Sequence, residues 1–228
     1  HLDTGEPITL YDYQVDSVNE AIAYGNGIVL AATGAGKTLV CAAMCQAYGK
    51  IGIKTLTIVP NRDLITNTKR DYINCGLDTG EYSGGEKSLN HQHIVSTWQS
   101  LQKNPGLVAE FGMVLVDECH GAASKSLHDL LTKHGPDIPY RFGVTGTLPK
   151  DETATLQVKV ALGEVRYEVT AKDLIDRGIL ATLNIDVVQL EENLEAEYAE
   201  YLDEYDKTPQ LPSNKRKTYK QFKDEYLP

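Results

Sequence analysis

Five short apolar runs, each ending at a turn residue or a charge, mark the first two thirds of the chain: GIVLAA (27–32), TLTIVP (55–60), HIVST (93–97), MVLVD (113–117) and RFGVTG (141–146). Runs this compact and β-branched predict strands buried on both faces. Between them, residues 37–48, 61–74 and 124–133 carry helical spacing with cap residues at their ends, which predicts helices. The alternation predicts an α/β fold built on a mainly parallel sheet with helices on both faces. Functional loops in such a sheet gather at the carboxyl ends of the strands. After Pro149, residues 153–162 predict a helix, RYEVT (166–170) a strand, AKDLIDRG (171–178) a short helix closed by Gly178, and LNIDVVQL (183–190) one more strand. Residues 191–206 predict an acidic helix with Leu194, Tyr198, Tyr201, Leu202 and Tyr205 on one face. The closing KTPQLPSNKRKTYKQFKDEYLP, with its prolines and basic cluster, reads as a linker or the lead-in to something else.

A length of 228 residues suits one large domain and a small appendage. Apolar residues at 41% and charged residues at 24% are ordinary for a globular chain, and no apolar run reaches bilayer length, so no membrane span is expected. The N-terminal HLDTGEPITLYDYQ lacks the basic and apolar parts of a secretory signal, which makes the cytoplasm the expected compartment. Cys41, Cys45, Cys75 and Cys119 form no C-x-x-C pair and read as free thiols. The net charge of −10 argues at first against nucleic acid. Its location reverses that: residues 190–206 hold eight acids and no base, so the remainder is close to neutral and can grip phosphates with local groups.

Chemistry enters at LAATGAGKT (30–38), after the first predicted strand and at the start of a helix. Backbone N–H groups of Thr33, Gly34, Ala35 and Gly36 can wrap phosphate oxygens, with the helix N-terminus adding its positive end. Lys37 would reach the β- and γ-phosphates of a nucleoside triphosphate and Thr38 would offer its hydroxyl to Mg²⁺. Ala31 stands where the full phosphate-loop pattern has its first glycine. Asp117, at the tip of MVLVD, would hold the same Mg²⁺ through water, because a hard cation prefers oxygen ligands. Glu118 would orient and deprotonate the attacking water. Cys119 and His120 form at most half of a metal site, since zinc needs three or four ligands and no spaced Cys/His set occurs elsewhere.

AATGAGKT, then DECH eighty residues on, then GVTGT (143–147), resemble motifs I, II and III of superfamily 2 helicases in the DExH branch. LYDYQVDSV (10–18) resembles the Q-motif region, with Gln14 matching the glutamine that reads adenine, although Tyr11 and Asp12 stand where an arginine is usual. IVPNRDLITN (58–67) resembles motif Ia, YSGG (82–85) motif Ib, and IVSTWQSL (94–101) the strand and turn that follow. GEVRYEVTAKDLIDRGILATLNIDVVQLE (163–191) is similar to the end of the first motor domain in the UvsW and XPB-like group, a match shared with restriction-enzyme motor subunits.

The resemblance implies a RecA-like P-loop domain over residues 27–190, preceded by a Q-motif segment at 1–26 and followed by an acidic helix and linker at 191–228 leading toward a second RecA-like domain. It implies that His120, Thr145, Gly146 and Thr147 couple the γ-phosphate to a nucleic-acid groove contacted by Pro60, Asn61, Arg62, Gly84, Gly85 and Thr97, with DNA ahead of RNA as partner. Simple solvation remains the alternative for Arg62, and Trp98 reads as core. After Arg177 the chain holds only Arg216, and no Q-x-x-G-R-x-x-R pattern occurs. The chain is therefore expected to be the first half of a longer helicase or translocase of recombination or repair, in the host cytoplasm if phage-encoded, and to hydrolyse ATP poorly alone. A restriction-enzyme motor and a nucleotide switch without motor activity are the alternatives.

Overall fold

A computed structural model describes residues 4–182, 194–207, 218 and 221. The chain divides into two units, residues 1–182 and 183–228. The first contains α1 (Asp12–Tyr24), β1 (Asn26–Ala31), α2 (Lys37–Lys50), β2 (Thr55–Val59), α3 (Arg62–Asn74), β3 (Thr79–Tyr82), β4 (His93–Thr97), α4 (Trp98–Leu101), β5 (Met113–Asp117), α5 (Lys125–Asp129), β6 (Tyr140–Thr145), α6 (Glu152–Leu162), β7 (Val165–Val169) and α7 (Ala171–Asp176). In the second, α8 (Leu194–Asp206) forms where an acidic helix is expected, with Tyr198 and Tyr201 stacked at 6.0 Å between ring centroids. The strand expected at 183–190 and the closing linker lie outside the described residues, apart from Thr218 and Gln221.

The seven strands form one sheet in the order β3-β4-β2-β5-β6-β1-β7, and every pairing is parallel. The period of two in a strand explains why the sheet needs cover on both sides. In β5, Met113 and Leu115 enter one apolar cluster with Tyr13, Met44 and Phe142, whereas Val114 and Val116 enter the other with Ile94, Leu130 and Leu162. All four β5 residues are essentially inaccessible to solvent, as a parallel strand without a wet face requires.

Three local features differ from expectation. The Q-motif segment is largely a helix, α1, which packs on β1, β7 and α2 and so belongs with residues 27–182. β3 is a four-residue edge strand. The helix expected at 124–133 is only five residues of α-helix before it widens into a π-turn over Leu130–His134.

His93 in β4 is 5% exposed, and its Nδ1 lies 2.8 Å from the Thr55 hydroxyl of neighbouring β2. Burial holds its imidazole below the ordinary histidine value of 6.5. The unfolded chain therefore binds the proton more readily, and the stability tied to His93 is complete above pH 6.5 and is lost as pH falls toward the depressed folded value. Urea midpoints between pH 7 and pH 5 should fall more steeply for the wild type than for His93→Gln; parallel profiles would remove His93 as a source of acid sensitivity.

Candidate nucleotide site and nucleic-acid face

The sheet order sorts the expected residues into two neighbouring groups. Loops after β5, β6, β1 and β7 carry Asp117 to His120, Thr145 to Thr147, the phosphate loop and Thr170, while the ends of β3, β4 and β2 carry Gly84 and Gly85, Thr97, and Pro60 to Arg62.

In the first group the phosphate loop leaves β1 at Ala31 and enters α2 at Lys37. Gly34 and Gly36 have φ of +85° and +75°, a conformation that side chains rarely adopt. Gly36 is the N-cap of α2 and brings no side chain to its first turn, leaving that end open to an anion. Thr33, Gly34 and Thr38 are exposed, whereas Ala35 is buried. The Ala35 carbonyl accepts from the Tyr13 hydroxyl at 3.0 Å and from Gln14 Nε2 at 2.9 Å. Gln14 is 2% exposed, so here its amide nitrogen holds the loop, and its Oε1 accepts from the Tyr11 N–H at 3.0 Å.

Across the cleft, Glu118 has φ 49° and ψ 52°, and among the described residues it alone of the non-glycines has positive φ. Such strain persists only where surrounding contacts impose it. Those contacts are on both carboxylate oxygens: Oε1 lies 3.5 Å from Lys37 Nζ, and Oε2 accepts from the Thr145 hydroxyl at 3.1 Å. His120 Nδ1 is 3.0 Å from the same hydroxyl. Thr145 has one proton to give, so when it donates to Glu118 it accepts from a protonated His120 Nδ1. Lys37, Glu118, Thr145 and His120 thus form one chain across three strand ends.

Asp117 is half-buried, and burial, reinforced by the Glu118 charge, pushes its carboxyl up from the ordinary range against the pull of the Glu118 N–H, Lys37 and His120. A carboxylate stripped of water in this way gains from a divalent cation. Cys119 is fully buried against Gly143, its thiol pushed up by burial and the flanking acids, while His120 is half-exposed, and among the described residues no group of three or more His, Cys, Asp or Glu side chains could hold a metal ion. A cleft of about 480 Å³ is lined by Ala32, Thr33, Lys37, Glu118, Gly146 and Thr147, and closed on the far side by Glu168 to Ala171. Phosphate-wrapping loop, ammonium, desolvated carboxylate and cleft together fit a Mg²⁺-bound triphosphate.

In the second group Arg62 is exposed and its guanidinium lies beside Gly85, whereas Gly84 faces open space. Arg62 also lines a polar cleft with Thr66, Glu81 and Ser83. The Asn61 side chain caps α3 by accepting from the Leu64 N–H at 3.1 Å. Thr97 is 2% exposed and its hydroxyl accepts from the Ser100 N–H at 3.3 Å, so it reaches backbone instead of solvent. Trp98 packs against the core.

The family model described as type III restriction enzyme, res subunit, matches residues 7–150. The chain belongs to this family of superfamily 2 helicase motor domains. It is 30% identical over 193 residues to the ATP-dependent DNA helicase uvsW of Enterobacteria phage T4, a match covering 78% of this chain and 38% of that protein. It is 29% identical to the DNA 3'-5' translocase XPB2 of Sulfurisphaera tokodaii, covering 76% of this chain and 39% of the relative. The motor domain thus spans about two fifths of the length of these relatives. The crystal structure of UvsW from bacteriophage T4 superimposes with a TM-score of 0.65 at 26% identity, over 72% of this chain and 61% of that one. The Hef helicase domain of Pyrococcus furiosus, at 17% identity and a TM-score of 0.62, shares the RecA-like fold.

Several residues around the phosphate loop and cleft carry no phosphate-binding or acid-pair signature of their own. Tyr13, the pair Asp12–Arg177 at 2.9 Å, the wall at Glu168 to Ala171, and Leu180 beside Gly34 are brought in by packing between distant segments. No spacing rule marks them.

Thr145 is wholly buried and its hydroxyl also reaches the Thr147 carbonyl at 3.1 Å. Thr145→Val should lower stability by about 1–2 kcal/mol in urea unfolding, because removing the hydroxyl leaves its partners without their mutual bridge. Thr145→Ser should recover most of the loss, and equal stability of all three proteins would show that the bridge is not made in solution.

Proposed function

We propose that this chain is the ATP-binding lobe of an ATP-dependent DNA helicase or translocase that acts on branched or forked DNA in recombination or repair. The observation that carries the reading is the Lys37–Glu118–Thr145–His120 chain, which joins the phosphate loop to the strand ends beside the Arg62 face. The relatives' names, ATP-dependent DNA helicase and DNA 3'-5' translocase, support this substrate and reaction class.

In this mechanism the backbone at Thr33 to Gly36 and the Lys37 ammonium bind the phosphates of ATP, and Thr38 with Asp117 holds Mg²⁺. Mg²⁺ held there would neutralise charge developing on the phosphate oxygens. Phosphates compete with Glu118 for Lys37, which releases the carboxylate to orient and deprotonate water. Thr145, hydrogen-bonded to that carboxylate, and His120, hydrogen-bonded in turn to Thr145, transmit its change of partner through Gly146 and Thr147. Pro60, Asn61, Arg62, Gly84, Gly85 and Thr97 form the sequence-independent nucleic-acid face, with Thr97 acting through the turn it caps. Residues 1–26 serve as the Q-motif segment, 27–190 as the motor lobe and 191–228 as the passage to a second RecA-like lobe, whose arginines would complete the transition-state electrostatics.

The family model's description favours a second reading, the motor part of a restriction enzyme. A nuclease or methylase segment in the longer protein would identify it.

Glu118→Gln should keep ATP affinity within about twofold and lower phosphate release with excess enzyme by at least ~100-fold, whereas Lys37→Ala should lose ATP binding. Unchanged hydrolysis in Glu118→Gln defeats the motor reading, and a nucleotide-dependent partner interaction that survives in it favours a switch. On DNA, Arg62→Ala should weaken binding a few-fold regardless of sequence and reduce the slope of log affinity against log salt by about 1. An unchanged slope would leave Arg62 as a solvated surface residue.

A further inference from the structure

Leu180 supports the phosphate loop from outside the cleft. A Cβ placed on Gly34 would lie 2.7 Å from Leu180 Cδ2, and its three nearest atoms all belong to that side chain. The isobutyl group therefore rests directly on the glycine. It does not line the cleft, whose walls on this side are Ala32, Thr33 and Lys37. The contact braces the loop without occupying the ligand's space.

The brace is itself held. The N–H groups of Ile179 and Leu180 both donate to the Leu174 carbonyl, at 2.8 and 3.1 Å, and Leu174 is fully buried. Gly178, at φ +69°, turns the chain out of α7 so that Leu180 can reach back. One residue earlier, Arg177 Nη1 lies 2.9 Å from Asp12 Oδ1, and its guanidinium stands 5.8 Å from the centre of the Tyr13 ring. Tyr13 and Gln14 hold the loop's next residue through the Ala35 carbonyl. Residues 177–180 thus reach the loop twice, at Gly34 through Leu180 and at Ala35 through α1.

A loop with two positive-φ glycines has much conformational freedom to lose when it wraps phosphates. Apparent affinity scales with the fraction of time the loop already holds its binding form. We propose that Leu180 is a positioning residue for nucleotide binding: braced by Arg177 and the Gly178 turn, it keeps the phosphate loop in its binding form, and occupancy of the loop in turn tightens residues 177–180. The reciprocity follows from linkage, since a ligand favoured by an ordered turn must itself favour that order. The inference rests on the nucleotide reading above.

The test uses this chain with MgATP and a non-hydrolysable ATP analogue. Leu180→Ala should weaken both by about tenfold, the effect of lowering the competent fraction to a tenth, with the ligand-free melting temperature changed by only a few degrees, and Leu180→Met should stay within about twofold of wild type. In the wild type, saturating MgATP should slow hydrogen exchange at the Ile179 and Leu180 amides. Equal affinities for wild type and Leu180→Ala overturn the proposal. If Leu180→Ala does not fold, the wild-type exchange decides, and unchanged protection at both amides overturns it. Loss of affinity with a matching collapse of the ligand-free fold, and no exchange response in the wild type, assigns Leu180 to the core alone and also overturns it. ATP binding that depends on Lys37 but is indifferent to Leu180 refutes this inference and leaves the nucleotide reading standing, whereas a wild type that binds no ATP refutes both.

Discussion

The carboxyl edge of this sheet is organised around one carboxylate held under strain. Glu118 sits in a left-handed conformation, with the ammonium at the start of α2 and a hydroxyl at the end of β6 on its two oxygens. Three segments far apart in sequence meet at that group, and none of them would place it there alone. Parallel strand order makes the meeting possible: β5, β6 and β1 are consecutive neighbours in the sheet, so their carboxyl ends form a single row.

The same order separates two kinds of chemistry. On the β5-β6-β1-β7 side are groups suited to a triphosphate and a cation; on the β3-β4-β2 side are a guanidinium, a glycine turn and helix caps suited to a sugar-phosphate backbone. The β2–β5 pairing is the seam between them, and its residues Leu56, Ile58, Val114 and Val116 lie in one dry cluster. Well-packed apolar layers transmit displacement instead of absorbing it.

What was readable in the sequence follows from where each signal is stored. The five short apolar runs became β1, β2, β4, β5 and β6, since strands buried on both faces read as near-continuous hydrophobic runs. β3 was invisible because TGEY is only four residues long and carries a single large apolar side chain, Tyr82. α1 lacked a clear stripe because Gln14 and Ser17 are among its buried positions, doing polar work that hydrophobic periodicity does not register. The π-turn at Leu130–His134 keeps an apolar face while changing its pitch, so the spacing alone reads as continuous helix. Phosphate loop and acid pair were legible because each compresses its chemistry into a few adjacent residues. Leu180, Arg177 and Asp12 were not, because their roles exist only after segments from opposite ends of the unit have met.

That last point bears on how the domain is made. β1, the strand that launches the phosphate loop, pairs with no early strand; its two neighbours are β6 and β7, the last strands in the order of the chain. The entropy of closing such long loops has to be overcome before β1 gains either partner. The loop's final shape therefore depends on segments that reach almost to Thr182. A partly folded or growing chain would display the phosphate-loop sequence without the site, and nucleotide capture would report that the unit had finished assembling.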